Sequence, residues 1–307
     1  MLAIIVPYYK ISFFEATLES LANQTDKRFK TYIGNDSSPQ SPEKILEKYQ
    51  NHLDIKYVRF DNNLGREDLT KQWERCIELT NDETWIMILG DDDILQENVV
   101  ESFFDNLKEI EKSKSNIVRF ATQTFDNTQN RVSKIFTNPR LEKASESYYR
   151  KYLGLSRSSL SEYIFKKDVY LKYKFKNYPL AWHSDDYAWI EFAEDFPIYS
   201  INESVISITV SDESLTGMTN NLIIKNNAEI QFYIDLVTNK LKLFKRKQRA
   251  NLLLQTEISL KKYRKITSVE WSKLSVFYIS NLLFFQFFKL VRRFIKSHFI
   301  QISSKNI

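Results

Sequence analysis

The chain has 307 residues, 43% of them hydrophobic and 27% charged, with a formal charge of +5. Those are the values of a globular protein with a sizeable core, and they exclude wholesale disorder. A single cysteine, Cys76, excludes an internal disulfide and suits a reducing compartment; its helical surroundings mark it as a small buried hydrophobe.

The first third alternates strands and helices. Leu2 to Val6 is an apolar run closed by Pro7, and it reads as a strand. It lacks the basic segment and small-residue cleavage site of a signal peptide. Phe13 to Asn23 has helical spacing, with Phe14, Leu18 and Leu21 on one face. Thr31 to Gly34 is a second strand, ending in Asn35-Asp36-Ser37-Ser38-Pro39. Ser41 and Pro42 form an N-cap and first-turn pair for a helix through Tyr49. Ile55 to Phe60 is a third strand, and Asn62-Asn63-Leu64-Gly65 follows it. A helix from Leu69 to Leu79 leads into Ile86-Met87-Ile88-Leu89 and then Gly90-Asp91-Asp92-Asp93. This alternation predicts a parallel, doubly wound α/β sheet with its ligands at the carboxyl ends of the strands.

Three adjacent carboxylates at a buried strand end repel one another and must be hydrated or paired. A divalent cation satisfies them, because Mg²⁺ and Mn²⁺ take oxygen ligands and bridge to phosphates. The plainer alternative is a solvated acidic turn. Neither G-x-G-x-x-G nor G-x-x-x-x-G-K-[ST] occurs, so a dinucleotide fold and a P-loop are both unsupported.

Five segments in order resemble the family 2 glycosyltransferases of GT-A fold. They are Ile4-Ile5-Val6-Pro7-Tyr8-Tyr9, Ser20-Leu21-Ala22-Asn23-Gln24-Thr25, Ile33-Gly34-Asn35-Asp36-Ser37-Ser38, Asn63-Leu64-Gly65 and Leu89-Gly90-Asp91-Asp92-Asp93-Ile94-Leu95. The resemblance implies a mostly parallel sheet flanked by helices. It also implies an enzyme using a nucleotide-activated sugar, commonly a UDP-sugar, with inversion at the anomeric carbon. Carried over by position, Pro7 and Tyr8 line the base pocket and Asp36 accepts a hydrogen bond from the base. Asn63, Gly65 and Asp91 complete the nucleotide-sugar site. Asp91 and Asp92 take the Asp-x-Asp role, Asp92 being the direct ligand of Mn²⁺ or Mg²⁺. Asp93 is either a second ligand or a helix N-cap. Asn35 and Ser37 depart from the family pattern, as does Gln72-Trp73-Glu74.

In the middle third, Asn98 to Lys112 reads as one packed helix and Ile117 to Thr124 as a strand. Phe125 to Arg140 is a polar surface excursion. Tyr148 to Leu155 is a short helix, Ser161 to Phe165 a strand, and Lys166-Lys167-Asp168 opens another helix. Trp182-His183-Ser184-Asp185-Asp186 then begins a helix whose apolar face includes Ala188, Trp189, Phe192 and Ala193. Capping by Ser184 and Asp185 accounts for one carboxylate well and for two less well. The resemblance assigns an acidic pair here to the general base, with Asp185 first, Asp186 as alternate and His183 third. Trp182 and Trp189 read as packing residues, with stacking of one of them on an acceptor sugar face as the alternative. Ile206 to Val210 is a strand. Ser211 to Thr219 resembles a segment that in relatives brings a His or Arg to the diphosphate; this chain has neither there, and Lys225 is the substitute.

From Asn220 the pattern is helical. Lys242, Lys245, Arg246, Lys247 and Arg249 cluster, and Leu274 to Phe288 runs fifteen residues without a charge before Lys289, Arg292, Arg293 and Lys296. Fifteen is short of the ~20 apolar residues a spanning helix needs. An aromatic helix flanked by cations fits the interface of an anionic membrane, and packing on its own domain or a partner is the rival reading. The expected domains are 1–219, split into a nucleotide-sugar half (1–97) and an acceptor half (98–219), and a helical extension over 220–307.

The expected function is transfer of a sugar from a nucleotide-sugar to a glycan or lipid-linked acceptor in surface polysaccharide synthesis. The site would be cytoplasmic, at the inner face of a bacterial membrane, with peripheral contact through 274–296, no nucleic acid and homodimerisation left open. The rivals are a non-catalytic sugar-nucleotide or glycan-binding subunit of the same fold, and a nucleotidyltransferase.

Overall fold

A computed structural model describes residues 1–211 and 221–303, with side chains as far as Ser297. The chain divides into two compact units, Met1–Asn221 and Leu222–Ile307.

The first unit begins with the expected alternation. β1 (Leu2–Tyr8), α1 (Phe14–Ala22), β2 (Phe29–Asn35), α2 (Glu43–Tyr49), β3 (Ile55–Arg59), α3 (Leu69–Ile77) and β4 (Trp85–Ile88) follow in order. Next come β5 (Ile94–Leu95), α4 (Val99–Asp105), α5 (Leu107–Lys112), β6 (Ile117–Asp126), β7 (Arg131–Val132) and β8 (Leu141–Glu142). The unit closes with α6 (Ala144–Tyr152), β9 (Tyr163–Lys166), α7 (Lys167–Tyr173), α8 (Ser184–Phe192) and β10 (Ile198–Val210).

Among the described residues these strands make one sheet, ordered β3-β2-β1-β4-β9-β6-β10-β5, with β7 on β6 and β8 on β10. β3, β2, β1 and β4 are parallel, as are β6 and β10. β9 runs antiparallel between β4 and β6, so the sheet is mixed at its centre. Pro7 does not end β1: it pairs with Gly34 on β2, while β4 pairs only as far as Ile5. Its missing N–H therefore interrupts no ladder on the β4 side.

Strand alternation divides the core. Leu2, Ile4, Val6 and Tyr8 face α1 and α4 through Leu18, Leu21 and Phe103. Ala3 and Ile5 face the other layer, with Trp73, Cys76, Phe165 and Trp189. Each large side chain so buried contributes ~1.5–3 kcal/mol.

Three expected boundaries move. Asn98 to Lys112 is two helices broken at Asn106, whose side-chain amide donates to the Ser102 carbonyl (2.8 Å) and to Glu203 (3.1 Å). Asn there competes with the helix ladder for its own partners. The helix expected at Tyr148 begins at Ala144, and the strand expected at Ile206 begins at Ile198 and carries a bulge between Ile201 and Val205. Of the Ser211 to Thr219 segment, all but Ser211 lies outside the described residues.

The second unit is helical: α9 (Leu222–Asp235), α10 (Arg246–Lys261), α11 (Ser268–Ser280) and α12 (Phe284–Ser303). The uncharged run Leu274 to Phe288 is not one helix. Leu282 adopts a left-handed φ of 57° and the chain turns between α11 and α12. No helix of the described residues is long and apolar enough to cross a membrane.

Gly34 lets α3 approach β2. A Cβ there would collide with Cys76 Sγ and come within 3.0 Å of Phe60. Gly34→Ala is therefore expected to cost ~1–3 kcal/mol in urea unfolding, and Cys76→Ala in the same chain should recover most of that loss. Equal losses in the single and double variants would refute this packing account.

Candidate active site

The carboxyl ends of β1, β2 and β4 open on a cleft of about 620 Å³. Pro7 from β1, Asp36 after β2, Asn63 and Gly65 after β3, and Asp91, Asp92 and Asp93 after β4 all line it. Seven of the residues expected at a nucleotide-sugar and metal site are thus brought together. Tyr8 is not among them. Alternation turns it to the opposite face, where its ring meets Phe14 at 4.5 Å and its hydroxyl donates to the Gln40 carbonyl at 2.8 Å. The partly exposed Tyr9 lines the cleft in its place.

The aspartates are structural clamps as well as cleft residues. Asp36 accepts from the Leu64 N–H (2.7 Å) and the Gly65 N–H (2.9 Å), and it pairs with Arg75. The Arg75 guanidinium lies over the Phe60 ring, 3.9 Å from its centroid. Burial raises the Asp36 pKa against the pull of these donors. Asp91 accepts from the Tyr9 and Lys10 amides through one oxygen, at 2.7 and 2.8 Å, tying the β1 exit to the β4 exit. Asp93 accepts from the Thr209 amide on β10 at 2.9 Å and from the Ser161 hydroxyl. It caps no helix, because β5 follows it directly.

Among the described residues Asp92 has no such anchor to another residue. Burial, then the charges of Asp93 and Asp91, push its carboxyl up to about 8. Burial pushes Asp93 up to about 6 despite its hydrogen bonds from Ser161 and Thr209. A Cβ at Gly90 would lie 2.9 Å from both Asp92 Oδ1 and Asp93 Oδ2, so the two carboxylates converge over the glycine. Two hard oxygen donors in a crowded, under-neutralised site fit a divalent cation that takes its other ligands from phosphate and water. Among the described residues, no three His, Cys, Asp or Glu side chains make a ready-formed metal cage.

The second acidic centre does not line this cleft. α8 starts after His183, whose φ of 70° follows Leu180 at 59° and Ala181 at 52°. Three left-handed non-glycine residues within four positions form a strained loop, and its Leu180 lines the cleft. Ser184 does not cap the helix, since its hydroxyl accepts from the Tyr178 amide (3.4 Å). Asp186 is buried and accepts from Lys151 Nζ (2.6 and 2.7 Å), with His183 Nδ1 at 2.7 Å. Burial opposes its charge, but Lys151 and His183 hold its carboxyl far below the usual range. Asp185 is half-buried, and burial together with the Asp186 charge pushes it up to about 6, with Lys151 opposing. The segment 158–163 runs beside both centres. Ser159, Leu160 and Ser161 line the cleft, while Ser158 and Tyr163 border a small space next to Asp186.

Sequence reading missed several cleft residues. Lys10 and Arg66 directly follow recognisable segments and could have been found there. Ser161 and Thr209 carry no local signal and arrive only through folding, and Trp73 stands out in the sequence only as a departure from the family pattern. Lys225 lies in the second unit, where burial lowers its pKa.

The fold resembles S. aureus TarS. Residues 1–349 of TarS in complex with UDP-GlcNAc match with a TM-score of 0.63 at 13% identity, covering 91% of this chain and 80% of that one. The same fragment in complex with UDP gives 0.59 at 14%, covering 96% and 82%. A longer TarS structure gives 0.60 at 14%, with this chain spanning 92% of its own length and 48% of that one. At such identity the likeness speaks to architecture, which is that of GT-A glycosyltransferases. No curated protein matches the sequence. The model of glycosyl transferase family 2 matches residues 3–169, more than half of the chain. The chain belongs to glycosyl transferase family 2.

Proposed function

We propose that the protein transfers a sugar, with inversion, from a UDP-sugar to a glycan or lipid-linked acceptor in the synthesis of a surface polysaccharide. The observation that carries this reading is the convergence of Pro7, Asp36, Asn63, Gly65, Asp91, Asp92 and Asp93 on one cleft at the strand ends. The UDP and UDP-GlcNAc complexes of TarS support the choice of nucleotide and an N-acetylhexosamine or hexose donor.

Within the reading, Pro7 and Tyr9 flank the base, and Asp36 offers it an acceptor while holding the Leu64-Gly65 loop. Lys10 and Arg66 face the cleft and supply positive charge toward the diphosphate. Asp92, with Asp93 beside it, would hold Mg²⁺ or Mn²⁺, which neutralises the charge that develops on the departing diphosphate. Asp91, occupied by the Tyr9 and Lys10 amides, shapes the site.

Asp185 is the base. It takes the proton of an acceptor hydroxyl as that oxygen bonds to the anomeric carbon and the bond to the diphosphate oxygen breaks. The leaving group departs with the electron pair. Asp186 is too well paired with Lys151 and His183 for this work, and it positions its neighbour. The acceptor approaches past the strained Leu180-to-His183 loop.

Asp185→Asn is expected to lower transfer by ~10²–10⁴-fold while leaving UDP binding by calorimetry unchanged. Wild-type kcat/KM should rise with pH through about 6 and then level off, as Asp185 loses its proton. Retained activity in the variant removes Asp185 from this role. A failure to bind UDP, GDP or CMP removes the donor reading altogether.

Asp92 tests the cation site. A carboxyl whose folded pKa is raised contributes stability below its unfolded pKa, and that contribution is lost as pH rises through the folded value, here about 8. Without metal, Asp92→Asn should therefore melt higher than wild type, by a margin that widens from about pH 5 to about pH 9. Mn²⁺ should raise the wild-type Tm and leave the variant unmoved. A margin independent of pH, or equal shifts with Mn²⁺, would count against this account.

A further inference from the structure

The charge of the chain is unevenly distributed. Residues 222–307 carry seventeen Lys and Arg against four Asp and Glu, whereas residues 1–221 carry twenty-seven against thirty-five. Within the second unit, α10 and α12 border a groove of about 700 Å³. Arg246, Lys247, Lys289 and Arg293 line it, and no acidic residue does. Arg293 is committed to Glu257, with bonds of 2.8 and 2.6 Å, and Arg246 donates to the Leu282 carbonyl at 2.6 Å. Lys289 stands over the Phe285 ring, 4.4 Å from its centroid. Neither Lys247 nor Lys289 has a carboxylate partner among the described residues.

The rim of the groove is apolar. Phe284 and Phe285 line it, and Phe288 projects one turn further along α12. Phe285 and Phe288 are each 67% exposed, and Leu282 at the preceding turn is 61% exposed. Large apolar side chains in contiguous exposure mark a contact surface. Uncompensated cations beside them select what that surface meets. A nucleic acid would satisfy the cations and leave Leu282 and the phenylalanines in water. An uncharged apolar protein face would do the reverse. An anionic lipid leaflet satisfies both, with phosphate at the groove and acyl chains at the rim.

We propose that the groove between α10 and α12 docks an anionic membrane surface, with Arg246, Lys247 and Lys289 taking lipid phosphates while Phe284, Phe285 and Phe288 enter the acyl boundary. The contact is interfacial, since no described helix can span a bilayer. It does not rest on the glycosyl-transfer reading. A membrane-bound chain without transferase activity, or an active chain that ignores membranes, separates the two.

The test is co-sedimentation of the full chain with vesicles of phosphatidylglycerol and phosphatidylcholine in equal parts, against phosphatidylcholine alone. The anionic vesicles should pellet the protein and the neutral ones should not. Lys247→Gln and Lys289→Gln should each weaken binding about fivefold. The pair Phe285→Ser and Phe288→Ser should weaken it by about tenfold or more. Both phenylalanines are exposed, so circular dichroism should show the variants folded. Equal binding to neutral vesicles, or no binding to either, overturns the proposal. Full vesicle binding by the phenylalanine variant together with competition by inorganic phosphate would identify a free-phosphate site. Loss of self-association in that variant without loss of vesicle binding would identify a second copy of the chain. Either result also overturns the proposal.

Discussion

The cleft depends on carboxylates that accept backbone amides from other strands and their exit loops. Asp91 joins the exits of β1 and β4, Asp36 joins the exit of β2 to the loop after β3, and Asp93 joins the exit of β4 to β10. A hydrogen bond to a charged group is worth ~1.5–3 kcal/mol, and these bonds act where the ladder has ended and the chain would otherwise splay. The same negative charge that clamps the loops makes the cleft anionic. The atoms that hold the loops together are therefore also part of the cleft wall.

The half of the sheet that follows β4 is held by a different device. Arg119, almost wholly buried near the start of β6, donates to Glu142 at 2.9 Å and to Ser200 at 3.2 Å, and it also meets Ser147. Arg150 reaches the same Glu142 from α6. Such a network adds little net stability compared with an apolar packing, but loss of one partner strands a buried charge at ~3–5 kcal/mol. It fixes how β8, β10 and α6 meet β6. α6 in turn carries Lys151, which commits Asp186 and leaves Asp185 half-buried beside it. The difference between two adjacent aspartates is thus a consequence of how α6 packs against α8.

Polar strand ends, hydrophobic periodicity and five short segments were enough to read the fold, the parallel half of the sheet and most of the acidic and loop residues that share the cleft. They work because a parallel sheet gathers its carboxyl ends on one edge, so local segments far apart in sequence share a destination. Tyr8 escaped because period-two alternation puts it on the face opposite Pro7, and the motif alone does not say which face opens to the cleft. The broken helix at Asn106 and the turn at Leu282 escaped because each depends on hydrogen bonds or backbone angles that periodicity does not encode.

By itself the sequence determined the class of fold, the family and the acidic strand end, since these rest on local pattern and composition. Only the tertiary structure decided which acids are clamps and which remain available, because that depends on amides and cations supplied by distant segments. Asp91 and Asp92 are indistinguishable as letters. Tyr9 and Lys10, eighty residues away in sequence, tie down the first and leave the second exposed to the repulsion of its neighbours.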